Sequence, residues 1–250
     1  MISIDELNEV KNKRKTNLYY EEKEYLQYIF LNALSRFADK FVFKGGTCLR
    51  ICYGLERASE DLDFSAELSL REVKGIVAQC LKDFDLLNIN YKMHSEKEYK
   101  GNLRIEARFE GPLFNGNPSS TNMLKIDFNK RKVKNKIAKV VPQLFSDVPM
   151  FTIVALDDRE ILAEKIRTLI NRNESRDLYD IWVLLNKGVQ LDGKLLAAKL
   201  REEGSKLKDI KIPSKEAYER DLKDLLHYLP PYEQVKDYVF GRLIKLKGLS

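Results

Sequence analysis

The chain has 250 residues, with 44 Lys or Arg against 38 Asp or Glu, a formal net charge of +6, 44% apolar residues and only 12 glycines and 7 prolines. The apolar share excludes disorder, the low glycine and proline content excludes collagen-like or low-complexity architecture, and no apolar run nears the ~18 residues that span a bilayer. The charged first twenty residues lack the apolar core of a signal peptide, and three cysteines make no disulfide framework. The sequence therefore reads as a soluble, cytoplasmic protein without membrane contact.

In chain order, Ser3-x-x-Glu6 predicts a capping box opening a short helix. A longer helix is predicted from about Leu18 to Ala38, with Leu26, Ile29, Phe30, Ala33, Leu34 and Phe37 on one face. Phe41-Val42-Phe43 reads as a short buried strand broken by Gly45-Gly46, and Thr47 to Tyr53 as a helix stopped by Gly54. Asp61-Leu62-Asp63-Phe64 alternates as a strand with both acids on one face, and Ser69-x-x-Glu72 opens a helix to about Phe84. From Ile89 to Phe128 the period is two, with INYKM, LRIEARF and MLKIDF as strand candidates, and Phe151 to Leu156 is a further one. Helices are predicted over 158–172, 177–187, 193–203, 214–228 and 232–246. This order predicts an α+β fold, with a core over 1–156 and a helical region over 157–250. Without a Gly/Ser linker at 156–158, that helical region is expected to pack on the core.

The charge is uneven. Residues 121–140 hold seven basic residues and one acid, a net of +6, so the rest of the chain sums to zero. Clustered Lys and Arg attract polyanions, although many basic runs are only solvated surface. The single acid inside the run, Asp127, tips the weighing toward a phosphate-binding surface.

Asp61 and Asp63 leave one strand face with Cα atoms ~6.6 Å apart. That spacing suits a pair of divalent cations roughly 3.5–4 Å apart, and oxygen-only ligation favours Mg2+ or Mn2+ over zinc. An Asp-x-Asp pair alone is weak evidence, but three features join it. Gly45-Gly46-Thr47 lies between a strand and a helix start, where backbone can approach a phosphate. Asp127 stands on a strand whose alternate residues are apolar and is the preferred third carboxylate over Glu106. Lys165 and Arg172 share one helix face, and Arg176-Asp177 opens the next helix with Asp180 one turn on. Each of these charges also fits a surface ion pair worth less than ~1 kcal/mol, and Asp177 a helix cap.

Together, KGGTCLRICYGLERASEDLDF, LKIDF and REILAEKIRTLINRNESRDLYDIW resemble the AbiEii/AbiGii-type toxin family of the nucleotidyltransferase superfamily, from about Phe43 to Leu185. The resemblance implies a mixed sheet with flanking helices, metal-dependent nucleotidyl transfer, and a place in a toxin–antitoxin or phage-defence system. By position, Gly45, Gly46 and Thr47 match the turn that holds nucleotide phosphates, with Thr47 where Ser is usual. Asp61 and Asp63 match the metal pair, and Asp127 falls at the third acid. Lys165 matches a lysine expected near the triphosphate, Arg176 and Asp177 an Arg-Asp motif, and Arg57 and Ser59 residues common to the loop before the Asp pair.

The implied reaction is attack of an acceptor hydroxyl on the α-phosphorus of a nucleoside triphosphate, with Mg2+ or Mn2+ as cofactor and pyrophosphate leaving. The basic segment 121–140 favours RNA as acceptor, and relatives favour tRNA; a cognate antitoxin is a further expected partner. Two alternatives remain at this level: the same fold acting on a protein or small-molecule hydroxyl, and a non-catalytic nucleotide-binding interaction module.

Overall fold

Seven strands form, β2, β4, β5 and β7 with alternating burial: β1 Phe41–Lys44, β2 Asp61–Ala66, β3 Tyr91–Tyr99, β4 Asn102–Phe109, β5 Asn122–Asn129, β6 Lys136–Val141 and β7 Phe151–Leu156. They come from a computed structural model that describes residues 1–247, with side chains to Ile244. The chain divides into two compact units, Met1–Gly54 with Ala58–Leu156, and Leu55–Arg57 with the chain from Asp157 onward. All seven strands belong to the first unit.

There they make one mixed sheet in the order β3-β4-β5-β2-β1-β7-β6. The pairs β2–β5 and β1–β7 are parallel, and the other neighbours are antiparallel. Four helices complete the unit: α1 Ile4–Arg14, α2 Leu18–Ser35, α3 Gly45–Tyr53 and α4 Leu70–Leu86. The core lies on one sheet face. Phe64 of β2 stacks between Phe43 of β1 and Phe128 of β5, with ring centroids 5.2 and 5.3 Å away, and meets Phe41 and Phe30 at its edges. Phe30 comes from α2, and α2 also packs against α4.

The periodicity of α2 predicts one apolar face, yet this helix is buried on almost all sides from Glu21 to Leu31. Its charges are therefore paired rather than solvated, as the cost of burying a lone charge requires. Arg14 of α1 holds Glu21 and Glu24, each at 3.0 Å, and Arg50 of α3 reaches Glu24 at 2.5 Å.

The local signals hold with small shifts. Ser69 and Glu72 make a reciprocal capping box at α4. At α1 only half of the box forms: Ser3 accepts from the Glu6 amide, while the Glu6 carboxylate accepts from the Ser146 amide and hydroxyl. Gly54 ends α3 in the left-handed region at φ 66°. β6 has no counterpart in the sequence reading, because KIAKVV is an edge strand with only Val141 buried and no clean alternation.

The second unit is helical: α5 Asp158–Arg172, α6 Ser175–Asn186, α7 Gly193–Arg201, α8 Lys215–Leu222 and α9 Tyr232–Lys247. α6 packs on α5, α8 and α9, and α7 on α5. Leu162, Ile166 and Leu169 face inward with Leu178, Ile181 and Leu185. α8 ends six residues before the predicted limit, where the chain turns through a Leu225 amide to Leu222 carbonyl bond and Tyr218 donates to the Pro230 carbonyl. Among the described residues no helix is long and apolar enough to cross a membrane, and Cys48, Cys52 and Cys80 are free thiols.

Phe64 is fully buried at the centre of the aromatic stack. Phe64→Ala is expected to lower the unfolding free energy by about 3–5 kcal/mol, measured by urea denaturation, because the cavity cannot close between two stacked rings.

Candidate active site

Register partners in a sheet point their side chains to the same face, so strand pairing alone decides which residues meet. The row opposite the aromatic core runs Lys44, Asp63, Asp127, Arg104 across β1, β2, β5 and β4. Asp63 and Asp127 are direct register partners, and so are Asp61 and Lys125 in the next row. Glu106, the rival third acid, is the partner of Lys125 and accepts a 2.8 Å hydrogen bond from Ser95, one strand farther from Asp61 than Lys125 is. The parallel β2–β5 pair thus brings Asp61, Asp63 and Asp127 onto one patch of sheet, all partly exposed.

Asp127 is already engaged. Arg104 donates to both its carboxylate oxygens at 2.8 Å, a two-pronged contact of the kind that guanidinium geometry favours. Burial pushes the Asp61 carboxyl above the ordinary carboxylate range; Lys125 opposes that shift and the charge of Asp127 adds to it. Lys23 of α2 is buried beside this patch, donates to the Met123 carbonyl at 2.7 Å, and is held below the usual lysine range by burial against the pull of Glu60 and Asp61. Arg104 and Lys23 were not singled out by sequence reasoning. For Arg104 the signal was present, since LRIEARF alternates and places Arg104 on the face opposite Leu103 and Ile105.

The glycine turn adjoins the acids. Gly45 has φ +78°, a conformation that side chains rarely adopt, and a Cβ placed there would overlap the Asp63 carboxylate, 3.0 Å from its Cγ. The Thr47 hydroxyl is buried and donates to the Asp61 carbonyl at 2.5 Å; it also bonds the Ser59 hydroxyl at 2.9 Å. Gln27 of α2 donates to the Ser59 and Glu60 carbonyls at 3.1 and 3.0 Å. Thr47 and Ser59 thus anchor the start of β2, and the open backbone of the turn belongs to Gly45 and Gly46.

The donor set of the patch is all oxygen, which fits a hard divalent cation such as Mg2+ or Mn2+. A cation there would offset the burial that raises Asp61 and the smaller push from the charge of Asp127. Among the described residues no three metal-ligating side chains are drawn together as a ready-made cage, in keeping with the turn of Asp127 toward Arg104.

Lys165, Arg176, Asp177, Arg57 and Asp180 lie in the second unit. Lys165 is held by Asp177 at 2.9 Å and Asp180 at 2.8 Å, and Arg57 grips Asp180 through Nε and Nη2 at 2.6 and 2.7 Å. Asp177, Asp180 and Arg57 are each 2% exposed or less. These are buried charges, not the surface pairs or helix cap that sequence alone allowed. The cap position of α6 is Glu174, and Arg176 stays exposed, 3.4 Å from Glu174. Burial alone would raise the Asp180 carboxyl, but Arg57 and Lys165 outweigh it and hold it below the ordinary range.

This mixed sheet with its acid patch has the fold of nucleotidyltransferase toxins. It superposes on the nucleotidyltransferase toxin MenT4 from Mycobacterium tuberculosis with a TM-score of 0.68 and 19% identity, covering 98% of this chain and 90% of that one. JHP933 from Helicobacter pylori matches with a TM-score of 0.57 and 18% identity, over 94% of this chain and 99% of that one. Comparison with curated proteins finds no match. The family model of the nucleotidyl transferase AbiEii toxins, of the type IV toxin–antitoxin system, matches residues 29–239, and the chain belongs to that family.

Two outcomes test this geometry. Gly45→Ala should keep the circular-dichroism spectrum but lower the thermal midpoint, because alanine is strained at φ +78°, and by displacing Asp63 it should reduce nucleotidyl transfer by about 10²-fold or more, as misplacement near 1 Å does. The depressed pKa of Asp180 stabilises the folded state above the unfolded value of about 3.9 and that gain is lost as pH falls through the lower folded value. Urea midpoints of the intact protein should therefore fall below about pH 4, and Asp180→Asn should cost about 3–5 kcal/mol at pH 7 by removing the charge that Arg57 and Lys165 share and leaving Lys165 with Asp177.

Proposed function

We propose that this protein is a metal-dependent nucleotidyltransferase that moves a nucleoside monophosphate from an NTP to the 3' end of an RNA, with tRNA the favoured acceptor, and that it acts as a toxin restrained by a cognate antitoxin. One observation carries the reading: Asp61, Asp63 and Asp127 share one sheet patch, and the Gly45 backbone lies directly against Asp63.

In this reading Asp61 and Asp63 hold Mg2+ or Mn2+. The ion, when bound, supplies positive charge to the phosphates and acidifies the acceptor hydroxyl. The Gly45-Gly46 turn receives the triphosphate because no side chain stands between its backbone and Asp63. The acceptor oxygen forms a bond to the α-phosphorus, the bond from that phosphorus to the bridging oxygen breaks, and pyrophosphate leaves with the electron pair. Asp127 completes the oxygen set or takes the acceptor proton, and for either role Arg104 must release one of its two oxygens. The freed guanidinium donors then face developing negative charge. Thr47, by its bond to the Asp61 carbonyl, sets where β2 begins and is a positioning residue. Lys165 and Arg176 are carried over from the family resemblance as cations for the leaving phosphates, while Asp177 and Asp180 hold Lys165 in place and Arg57 supports it through Asp180.

Asp63→Asn should retain the parental thermal midpoint and lose all detectable, cation-dependent transfer of label from the α-phosphate of an NTP to total tRNA. Transfer by that variant at the parental rate overturns the assignment, and label moving only from the γ-phosphate would make the reaction a kinase-type transfer.

A further inference from the structure

The acid patch continues along the same sheet face into a pocket of about 310 Å³ within the first unit. Its floor is Val42 of β1 and Ser65 of β2, register partners one step beyond the Lys44–Asp63 pair on that face. Ser65 donates to the Asn129 side-chain carbonyl at 3.1 Å, and the same oxygen accepts from the Arg131 amide at 3.2 Å. The chain leaving β5 is thereby tied to the floor and brings Arg131 and Lys134 over it, facing Lys40 before β1 and Lys136 at the start of β6. Two acids, Asp39 and Glu67, also line the pocket, so four bases stand against two acids. Those bases are exposed at the rim, while Ser65 is buried beneath them.

The order along the strands is informative. Gly45 continues β1 past Lys44, on one side of the Asp63 row, whereas Val42 and Ser65 lie on the other. Phosphates at the glycine turn and phosphates in this pocket would therefore lie on opposite sides of the Asp63 row. Ser65 is two residues beyond Asp63, ~6.6 Å along the strand.

We propose that this pocket is the acceptor-strand subsite: it takes a phosphodiester of single-stranded RNA one or two nucleotides from the 3' hydroxyl that reaches the acids. The inference rests on the proposed function and adds the place where the acceptor is held. A volume of about 310 Å³ suits one nucleotide unit rather than a duplex. A positively charged groove tracks the backbone of a single strand without reading sequence; this pocket supplies the charge and no aromatic platform, so it grips phosphate rather than stacking a base. Three of the seven bases in segment 121–140, Arg131, Lys134 and Lys136, stand at the pocket rim.

The test is fluorescence anisotropy of a short fluorescein-labelled single-stranded RNA, with no nucleotide or divalent cation, titrated with the intact protein and with the Arg131→Gln/Lys134→Gln double variant. A Lys206→Gln/Lys208→Gln variant, which removes the same charge elsewhere, is the control. The double variant should bind RNA roughly tenfold more weakly or worse, and its log K against log salt slope should be shallower by about 1.4, two contacts at ~0.7 each. Its affinity for a labelled NTP should stay at the parental value, and the control should bind RNA like the parent. Unchanged RNA affinity in the double variant, an equal loss in the control, a loss of NTP rather than RNA affinity, or no RNA binding by the parent each overturns the subsite. The two readings fail separately: transfer to RNA by the parent with unchanged RNA affinity in the double variant overturns the subsite alone. RNA binding lost as expected, in a parent that transfers no α-phosphate label, overturns the proposed reaction alone.

Discussion

The parallel pairing of β2 with β5 is the constraint on which the rest depends. Its register sets Phe64 beside Phe128 on one face and Asp63 beside Asp127 on the other. A slip by one residue would send the aromatic rings to the solvent and the carboxylates into the core, so the hydrophobic stack enforces the placement of the acids. The site is in this sense a by-product of core packing. Phe43, Phe64 and Phe128 could not stack in their observed order without gathering Lys44, Asp63 and Asp127 in a row behind them.

Buried charge is used repeatedly, and much of it is gathered into ion-paired sets. Arg14, Glu21, Glu24 and Arg50 tie three helices of the first unit. Arg57, Asp180, Lys165 and Asp177 form a second set, and Lys199 with Glu160 at 2.7 Å and Glu164 at 3.0 Å a third. Such sets add little net stability compared with apolar packing, but removing one member is costly, which makes their geometry strict. The Arg104–Asp127 contact differs. With the arginine side chain 46% exposed, it is open to solvent and separable despite its two-pronged geometry. A strict frame around a separable contact is what a site needs if a carboxylate must change partners when substrate arrives.

The electrostatic layout follows from the same frame. Acids occupy the middle of one sheet face, a backbone turn without side chains abuts them on one side, and bases rim the pocket on the other. The net charge of +6 says nothing of this arrangement. Its meaning comes from the loop after β5, where Asn129 fixes Arg131 against the sheet.

The sequence by itself determined the helices and most strands, because period and caps are local: Asp158–Arg172 starts and stops where its signals stand, and Ser69-x-x-Glu72 closes its box. It also determined that Asp61 and Asp63 share a face, since alternation needs no partner strand. It could not choose Asp127 as the neighbour of Asp63 on physical grounds, detect Arg104 on Asp127, or show that Thr47 serves the Asp61 backbone, because each depends on a register or a contact made over long sequence separation. Nor could it separate a buried pair from a surface one, so Arg57 and Asp180, 123 residues apart, had no visible link. Local patterns carry conformational preference. Which charges meet is decided by the strand order and packing that bury the apolar faces, and only the tertiary structure holds that information.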